Sequence, residues 1–111
     1  MYEYKIDNIR VIDGDTIECD VHLGMNIVLS KRKIRFYGVD TWETRGPNKA
    51  KGKAAKEDLK KQIDNYSFLS VYTQKDKSGK YGRLLGTIFG SNGRVVYYNI
   101  NNYMREHWRK Q

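Results

Sequence analysis

The chain has 111 residues, a formal net charge of +8 and a single cysteine, and these facts limit what it can be. A chain of this length holds one hydrophobic core, so residues 1–111 are predicted to form a single domain. One cysteine, Cys19, cannot build an internal disulfide framework or a cysteine-based zinc site, and we expect no disulfide-linked partner. The positive charge indicates a polyanionic partner, most often nucleic acid and less often an anionic membrane surface.

The sequence contains no targeting or membrane-spanning pattern. No basic start followed by an apolar run marks a signal peptide, and no run of about 18 apolar residues could cross a bilayer. The chain is therefore expected to be either cytoplasmic or already processed, with cytoplasmic as the leading expectation. We expect no membrane partner, and we expect a monomer.

The first third of the chain predicts strands. Residues 4–12 are rich in isoleucine and valine, and the turn Asp13-Gly14-Asp15 follows them. From Thr16 onward, apolar and polar residues alternate, so that one face carries Ile17, Cys19, Val21 and Leu23. Cys19 is therefore predicted to be a core residue.

The next segment predicts either one long strand or a pair of strands, at residues 27–29 and 34–39. The basic run Ser30-Lys31-Arg32-Lys33 lies between these two parts. It is interpreted either as a solvated loop tip or as part of a groove that follows phosphates.

An amphipathic helix of roughly 12–15 residues is predicted next, because apolar residues recur at helical spacing at Ala55, Leu59, Ile63 and Tyr66. Its lysines are interpreted as a solvated face. Residues 68–74 and 83–89 predict a hairpin around a basic loop, and residues 95–98 predict a short further strand.

The last segment places five residues on one helical stripe: Ile100, Tyr103, Met104, His107 and Trp108. This predicts a helix that packs on the sheet, with His107 as a partnered packing residue. The order of elements suits a mainly β chain with helices (α+β), namely an OB-type five-stranded antiparallel barrel with two packed helices.

Residues 34–43 combine an arginine and two carboxylates where a strand ends. Ile34 and Phe36 alternate with Arg35 and Tyr37, so Arg35 is predicted to point away from the core, while Asp40 and Glu43 follow the strand. A divalent cation prefers hard oxygen ligands, and a guanidinium fork matches two phosphate oxygens. Alone, the stretch fits phosphodiester cleavage about as well as it fits a strand that ends in a solvated salt bridge.

Three separated blocks of sequence make the interpretation more specific. Residues 11–16 (Val-Ile-Asp-Gly-Asp-Thr), residues 35–44 and residues 80–86 (Lys-Tyr-Gly-Arg-Leu-Leu-Gly) resemble, in order, the three signature blocks of the thermonuclease (staphylococcal nuclease-like) family. The resemblance covers about residues 5–108. It implies an OB-type barrel and calcium-dependent hydrolysis of phosphodiester bonds. Trp42 departs from the family pattern, because proline is common at its position.

The resemblance also implies a metal site. Asp15 and Asp40 match the carboxylates that bind the metal ion in the family, and the backbone carbonyl of Thr41 matches a further ligand. Two carboxylates, a carbonyl group and water molecules meet the oxygen preference of Ca²⁺. As the resemblance implies, calcium is expected, with magnesium less so.

The remaining roles that the resemblance implies concern the phosphate. Glu43 matches the carboxylate that acts on the attacking water, either as a general base or by orienting it. Arg35 and Arg83 match the arginines that hold the scissile phosphate and stabilise its charge in the transition state. Tyr81 and Lys80 are predicted to contact the substrate.

The leading hypothesis is a metal-dependent nuclease that acts on DNA, RNA or both with little sequence preference. The rival hypothesis is a non-catalytic OB-type module that binds single strands through a basic groove and stacking aromatic side chains. Such a module has no need of Asp15, Asp40 and Glu43 beside bound phosphate, because carboxylates that no cation neutralises repel it. A third hypothesis is an inactive interaction domain, which would be expected to lack at least one of the five catalytic and metal-binding side chains. None is missing.

Overall fold

The computed structural model describes residues 3–74, 84–93 and 96–109. In chain order, these residues form β1 (Glu3–Asp13), β2 (Thr16–Gly24), β3 (Ile27–Phe36), α1 (Lys49–Asp64), β4 (Phe68–Gln74), β5 (Leu84–Ser91), β6 (Tyr98–Asn99) and α2 (Ile100–His107). The strand order is β3-β2-β1-β4-β5-β6, and β3 also pairs with β5. Strands β1 to β5 therefore close into a barrel.

One parallel contact closes this barrel. Ile34–Phe36 of β3 pair in parallel with Leu84–Gly86 of β5, whereas the other pairings in the described sheet are antiparallel. Helix α1 and strand β4 separate β3 from β5 along the chain, which gives the long connection that a parallel pair needs. The prediction of an OB-type five-stranded barrel with two helices is confirmed, with the difference that the barrel is mixed rather than wholly antiparallel.

The core fills the barrel and the space beneath α1. Alternate residues of β2 (Ile17, Cys19 and Val21) and the end of β3 (Ile34 and Phe36) are buried, and α1 contributes one buried face: Gly52, Ala55, Leu59 and Ile63. The predicted core position of Cys19 is confirmed, since its side chain is buried. Leu23, predicted on the same face, is 39% exposed, because it lies beyond His22, where the pairing of β2 with β1 ends.

Some predicted elements have different bounds in the structure. The basic run at residues 30–33 does not interrupt the strand but lies within β3, where a bulge in the pairing with β2 absorbs one extra residue. Helix α1 has 16 residues, slightly more than predicted. The predicted hairpin loop and the residue at position 83 lie outside the described residues. None of the helices in the described part of the chain is both long and apolar enough to cross a membrane.

Asp58 joins the two helices. Its Oδ2 accepts hydrogen bonds from Tyr103 Oη at 2.8 Å and from Trp108 Nε1 at 2.7 Å, and its Oδ1 accepts one from Gln62 at 3.3 Å. Burial raises the pKa of Asp58, but these hydrogen bonds outweigh it, and the pKa lies below the usual value. His107 stacks on Tyr103 with ring centroids 4.1 Å apart, so it has the partner that the sequence predicts, although its side chain is exposed.

Candidate active site

A cavity of about 250 Å³ lies where β1 ends, β2 begins and β3 ends. Its walls include four of the side chains predicted to act in catalysis or metal binding: Asp15, Arg35, Asp40 and Glu43. Residues from three separate parts of the chain therefore meet around one cavity. Asp13, Thr16, Lys33 and Thr41 also line it.

Close packing of the turn before β2 holds Asp15 in this cavity. Gly14 lies so near α1 that a Cβ atom there would be 2.8 Å from both Ala55 Cβ and Thr41 Oγ1, so the turn requires glycine. The backbone carbonyl of Asp15 accepts a hydrogen bond from the N–H of Phe36 at 2.8 Å, which ties the start of β2 to the end of β3. As a result, Asp15 is only 3% exposed.

Both carboxylate oxygens of Asp15 have hydrogen-bond donors. Oδ2 accepts from Arg35 Nη1 at 2.8 Å and from the backbone N–H of Thr41 at 3.2 Å, and Oδ1 accepts from Thr16 Oγ1 at 2.9 Å. Burial raises the pKa of Asp15 above its usual value, although Arg35 and the Thr41 N–H offset part of the effect. A cation in the cavity would further favour the ionised carboxylate.

Arg35 bridges the two carboxylates that are predicted to bind metal. Besides its bond to Asp15, its Nη2 donates to the carbonyl of Val39 at 3.2 Å and makes a long contact with Asp40 Oδ1 at 3.5 Å. The side chain of Asp40 is 68% exposed, so the second contact is weak. Arg35 is thus fixed at the Asp15 end, and its other side faces an exposed carboxylate.

Helix α2 anchors the start of the loop that carries Asp40 and Glu43. The buried Asn101 donates from Nδ2 to the carbonyls of Tyr37 and Gly86, each at 3.0 Å. Arg105 donates from Nε to the carbonyl of Gly38 at 2.9 Å, and Gly38 has a φ of +71°. The sequence analysis missed both anchors, because Asn101 and Arg105 lie outside the apolar stripe that predicts this helix.

The end of the same loop is held by β1 and α1. Thr44 Oγ1 donates to Asp13 Oδ1 at 3.2 Å. Gly52 of α1 packs directly on the backbone of Glu43, since a Cβ atom at position 52 would overlap the Glu43 carbonyl. The backbone of Glu43 is therefore fixed, while its side chain is exposed and lines the cavity. The sequence analysis assigned no role to Asp13, Thr44 or Gly52.

The cavity offers hard oxygen atoms to a cation. Asp15 and Asp40 supply carboxylates to the cavity. Within residues 3–74, 84–93 and 96–109, no three acidic, histidine or cysteine side chains are grouped as a metal site. A cation here would take most of its ligands from carbonyl groups, water and substrate, which suits calcium or magnesium better than zinc.

Three predicted site residues, Lys80, Tyr81 and Arg83, lie outside the described residues. Their roles, and that of the Thr41 carbonyl as a ligand, stay predictions. What the structure does describe at Thr41 is its backbone N–H, which donates to Asp15.

Residues 33–106, more than half of the chain, match the family model described as "Staphylococcal nuclease homologue". The chain belongs to this family. The matched segment of the staphylococcal nuclease homologue includes Arg35, Asp40 and Glu43. It begins after Asp15, so the inclusion of Asp15 in the site depends on the contacts described above.

Relatives of this staphylococcal nuclease homologue include proteins named thermonuclease. This chain is 40% identical over 83 residues to the thermonuclease of Staphylococcus intermedius, and the alignment covers 72% of this chain and 45% of that protein. It is 36% identical over 89 residues to the thermonuclease of Staphylococcus hyicus, covering 78% and 47% respectively. An uncharacterized protein of Bacillus anthracis is 37% identical over 84 residues, covering 73% and 36%. The alignments thus span less than half the length of these relatives.

Proposed function

We propose that this staphylococcal nuclease homologue hydrolyses phosphodiester bonds in DNA or RNA, with calcium as its cofactor and with little sequence preference. The observation that carries the proposal is the meeting of Asp15, Arg35, Asp40 and Glu43 around one cavity. The net charge of +8 supports a polyanionic substrate. The names of the two thermonucleases support the same activity.

Asp15 and Asp40, which both contact Arg35, would hold the calcium ion. Asp15 is suited to this role because three hydrogen bonds fix its orientation before any ligand arrives. Asp40 is exposed and can adjust to the ion. When bound, calcium would draw charge from a phosphoryl oxygen and neutralise the carboxylates that otherwise repel the phosphate.

Arg35 would bind the scissile phosphate. Arg35 lines the cavity, and among the described residues its Nη2 makes one hydrogen bond of 3.2 Å, to the Val39 carbonyl, besides the long contact with Asp40. An incoming phosphate oxygen can replace that long contact. Charge that develops on the phosphate in the transition state would be stabilised by this fixed donor. Arg83 would supply a second guanidinium group, as the family pattern implies.

Glu43 would act on the attacking water. Its backbone is fixed against Gly52, and its carboxylate lines the cavity and is open to solvent. It can therefore accept a hydrogen bond from a water molecule beside the phosphate. The substitution Glu43→Gln, which keeps hydrogen bonding but removes the base, separates proton removal from orientation of the water.

The experiment that tests this function is incubation of the protein with single-stranded and double-stranded DNA and RNA in calcium, in magnesium and in excess chelator. We expect cleavage in calcium and none in chelator. Full cleavage in excess chelator contradicts the metal site. Binding without cleavage in every metal favours the rival hypothesis of a non-catalytic binding module.

A further inference from the structure

Residues 22–33 form a hairpin arm whose tip is two-stranded, whereas Lys33, at its base, pairs with Glu18 of β2, which also pairs with Arg10 of β1. Strand β1 pairs with β2 only as far as His22, and β5 pairs with β3 only at Ile34–Phe36. From Ile27 to Lys33, strand β3 is paired with β2 alone among the described residues. The hairpin arm therefore has one free strand edge and contributes little to the core.

The tip of the hairpin arm is apolar and exposed. Met25 is 94% exposed, Ile27 is 54% exposed, and Leu23 and Val28 are exposed beside them. Met25 and Asn26 form the turn with φ values of +53° and +63°. Glycine or asparagine is favoured at such positions, and the folded chain gains no buried contact from the methionine there. The apolar tip is explained if another molecule covers it.

The base of the hairpin arm carries three cations that form no close ion pair within the described residues, although Lys31 interacts electrostatically with Asp20. Lys31, Arg32 and Lys33 are exposed, and no ion pair involves their side chains. The nearby acids have other partners. Glu18 accepts from Arg10 at 3.2 Å, and Asp20 accepts from Asn8 at 2.8 Å and from the backbone N–H of Lys31 at 3.0 Å. These three cations are available to an external polyanion.

This basic segment is continuous with the candidate active site. Lys33 lines the same cavity as Arg35 and lies two residues from it on β3, which places both side chains on one face about 6.6 Å apart. Ten residues of strand and turn separate Arg35 from Met25, a reach of at most about 33 Å. That reach approaches one turn of a nucleic-acid duplex, about 34 Å.

We propose that the hairpin arm is a second binding surface for a double-stranded nucleic acid. The basic segment contacts phosphates that lead away from the active-site cavity, and the apolar tip enters a groove. A two-stranded β-ribbon has the dimensions of a DNA groove. Methionine, leucine and isoleucine are among the side chains that proteins wedge between base steps from the minor groove of a duplex, whereas single strands are bound largely by stacking on aromatic side chains. The hairpin arm contains no Phe, Tyr or Trp.

This inference deepens the proposed function, since it names the class of substrate that the site would take. It is tested by measuring the affinity for a labelled 24-base-pair duplex and for the matching single strand, as a function of salt and in excess chelator. The integrity of each probe is checked on a gel. Two variants probe the hairpin arm: a tip variant, Met25→Ser with Ile27→Thr, and a basic variant, Lys31→Gln with Arg32→Gln and Lys33→Gln. A matched control removes three exposed charges from α1: Lys53→Gln, Lys60→Gln and Lys61→Gln.

The basic variant is expected to reduce the slope of log affinity against log salt by about 0.9 for each lost phosphate contact. The control variant is expected to change this slope by less than about 0.9, the value for one contact. The tip variant is expected to lose roughly tenfold in duplex affinity, the effect of exposing one buried apolar side chain, with little change for the single strand. The inference is overturned if the control and basic variants reduce the salt slope equally, or if the tip variant binds the duplex as tightly as the parent. It is also overturned if the tip variant changes only the oligomeric state, since the tip then contacts a second copy of the chain.

Cleavage of a p-nitrophenyl phosphodiester of a single nucleotide separates this inference from the proposed function, because so small a substrate does not reach the hairpin arm. If that substrate is cleaved only with calcium, and the hairpin-arm variants bind the duplex as the parent does, the inference is wrong and the proposed function is supported. If the hairpin-arm variants bind the duplex more weakly than the parent, but no substrate is cleaved, the inference is supported and the proposed function is wrong. Circular dichroism of each variant checks that the fold is retained. If the double tip variant is unfolded, Met25→Ser alone, at an exposed turn, repeats the test.

Discussion

Arg35 donates a hydrogen bond to Asp15 across 2.8 Å, from Nη1 to Oδ2, at the inner wall of the cavity. The two residues are 20 positions apart in sequence, and the pairing of β2 with β3 brings them together. The contact joins a residue proposed to hold phosphate to a residue proposed to hold calcium. A change at either position therefore affects both ligands.

Two substitutions at Asp15 should separate its structural role from metal binding. Asp15→Asn keeps an oxygen that can accept from the Thr41 N–H but removes the negative charge, so calcium affinity and cleavage rate should fall while most of the stability is kept. Asp15→Ala leaves its donors unpaired and should also lower the free energy of unfolding by about 1–3 kcal/mol. Calcium titration and urea unfolding of both variants check this. Equal calcium affinity in Asp15→Asn and the parent would remove Asp15 from the proposed metal site.

Asn101→Ala should disturb the catalytic loop from a distance. The Asn101 side chain bonds two carbonyls and also accepts the N–H of Ile88 at 2.9 Å. Its loss should lower the free energy of unfolding by about 1–3 kcal/mol, because buried backbone groups lose their partners. It should also lower kcat more than it raises KM, since the loop with Asp40 and Glu43 loses its anchor. Urea unfolding and steady-state kinetics give the two readouts, and an unchanged kcat in the folded variant would show that the anchor is structural only.

Much of the barrel and of the site could be predicted from the sequence because the signals are local. Alternation around Cys19 identifies β2, and the order Arg35, Asp40, Glu43 follows a strand that ends in a loop. The closing parallel pair between β3 and β5 could not be predicted, because pairing between distant strands leaves no periodic signal in either strand. The full extent of β3 could not be predicted either. The polar and charged residues 30–33 of the hairpin arm suggest a loop, although β3 continues through them.

The anchors of the catalytic loop were missed for a related reason. Asn101 and Arg105 donate hydrogen bonds to the backbone carbonyls of residues 37, 38 and 86. Every residue has a backbone carbonyl, so the sequence does not indicate which carbonyls accept such bonds. Gly14 and Gly52 are required by close packing between elements, which only the assembled fold reveals. The side chains that carry chemistry are therefore easier to predict than the groups that hold them in place.

The contribution of Asp58 to stability should depend on pH. The pKa of Asp58 is lowered in the folded protein, so its ionised form stabilises the fold above the pKa of an unfolded aspartate, near 3.9, and this contribution is lost as the pH falls through the lower folded value. Asp58→Asn should thus be less stable than the parent at pH 7, with a gap that narrows below about pH 4. Urea unfolding across this pH range checks the prediction. A gap that stays constant would show that the charge of Asp58 is not responsible.

The thiol of Cys19 should be inert in the folded protein. Burial, together with the neighbouring carboxylate of Asp20, raises its pKa to about 12, so little thiolate exists at pH 8, and the side chain has no access to solvent. We expect a thiol reagent such as dithionitrobenzoate to react slowly with the native protein and quickly in denaturing urea. Fast labelling of the native protein would mean that the core around β2 opens readily.

Glu43→Gln should separate chemistry from binding. The amide keeps the size of the side chain but cannot accept a proton from water, and loss of a general base typically lowers a rate by about 10²–10⁴-fold. Arg35, Asp15 and Asp40 are unchanged, so the dissociation constant for an oligonucleotide in calcium should stay within a few-fold of the parent value. Single-turnover cleavage and binding of one labelled oligonucleotide measure both quantities. Arg35→Lys is the contrasting control: it keeps the charge but loses the fork, and it should weaken both binding and rate. If Glu43→Gln cleaves at the parental rate, Glu43 only shapes the loop, and another group must act on the water.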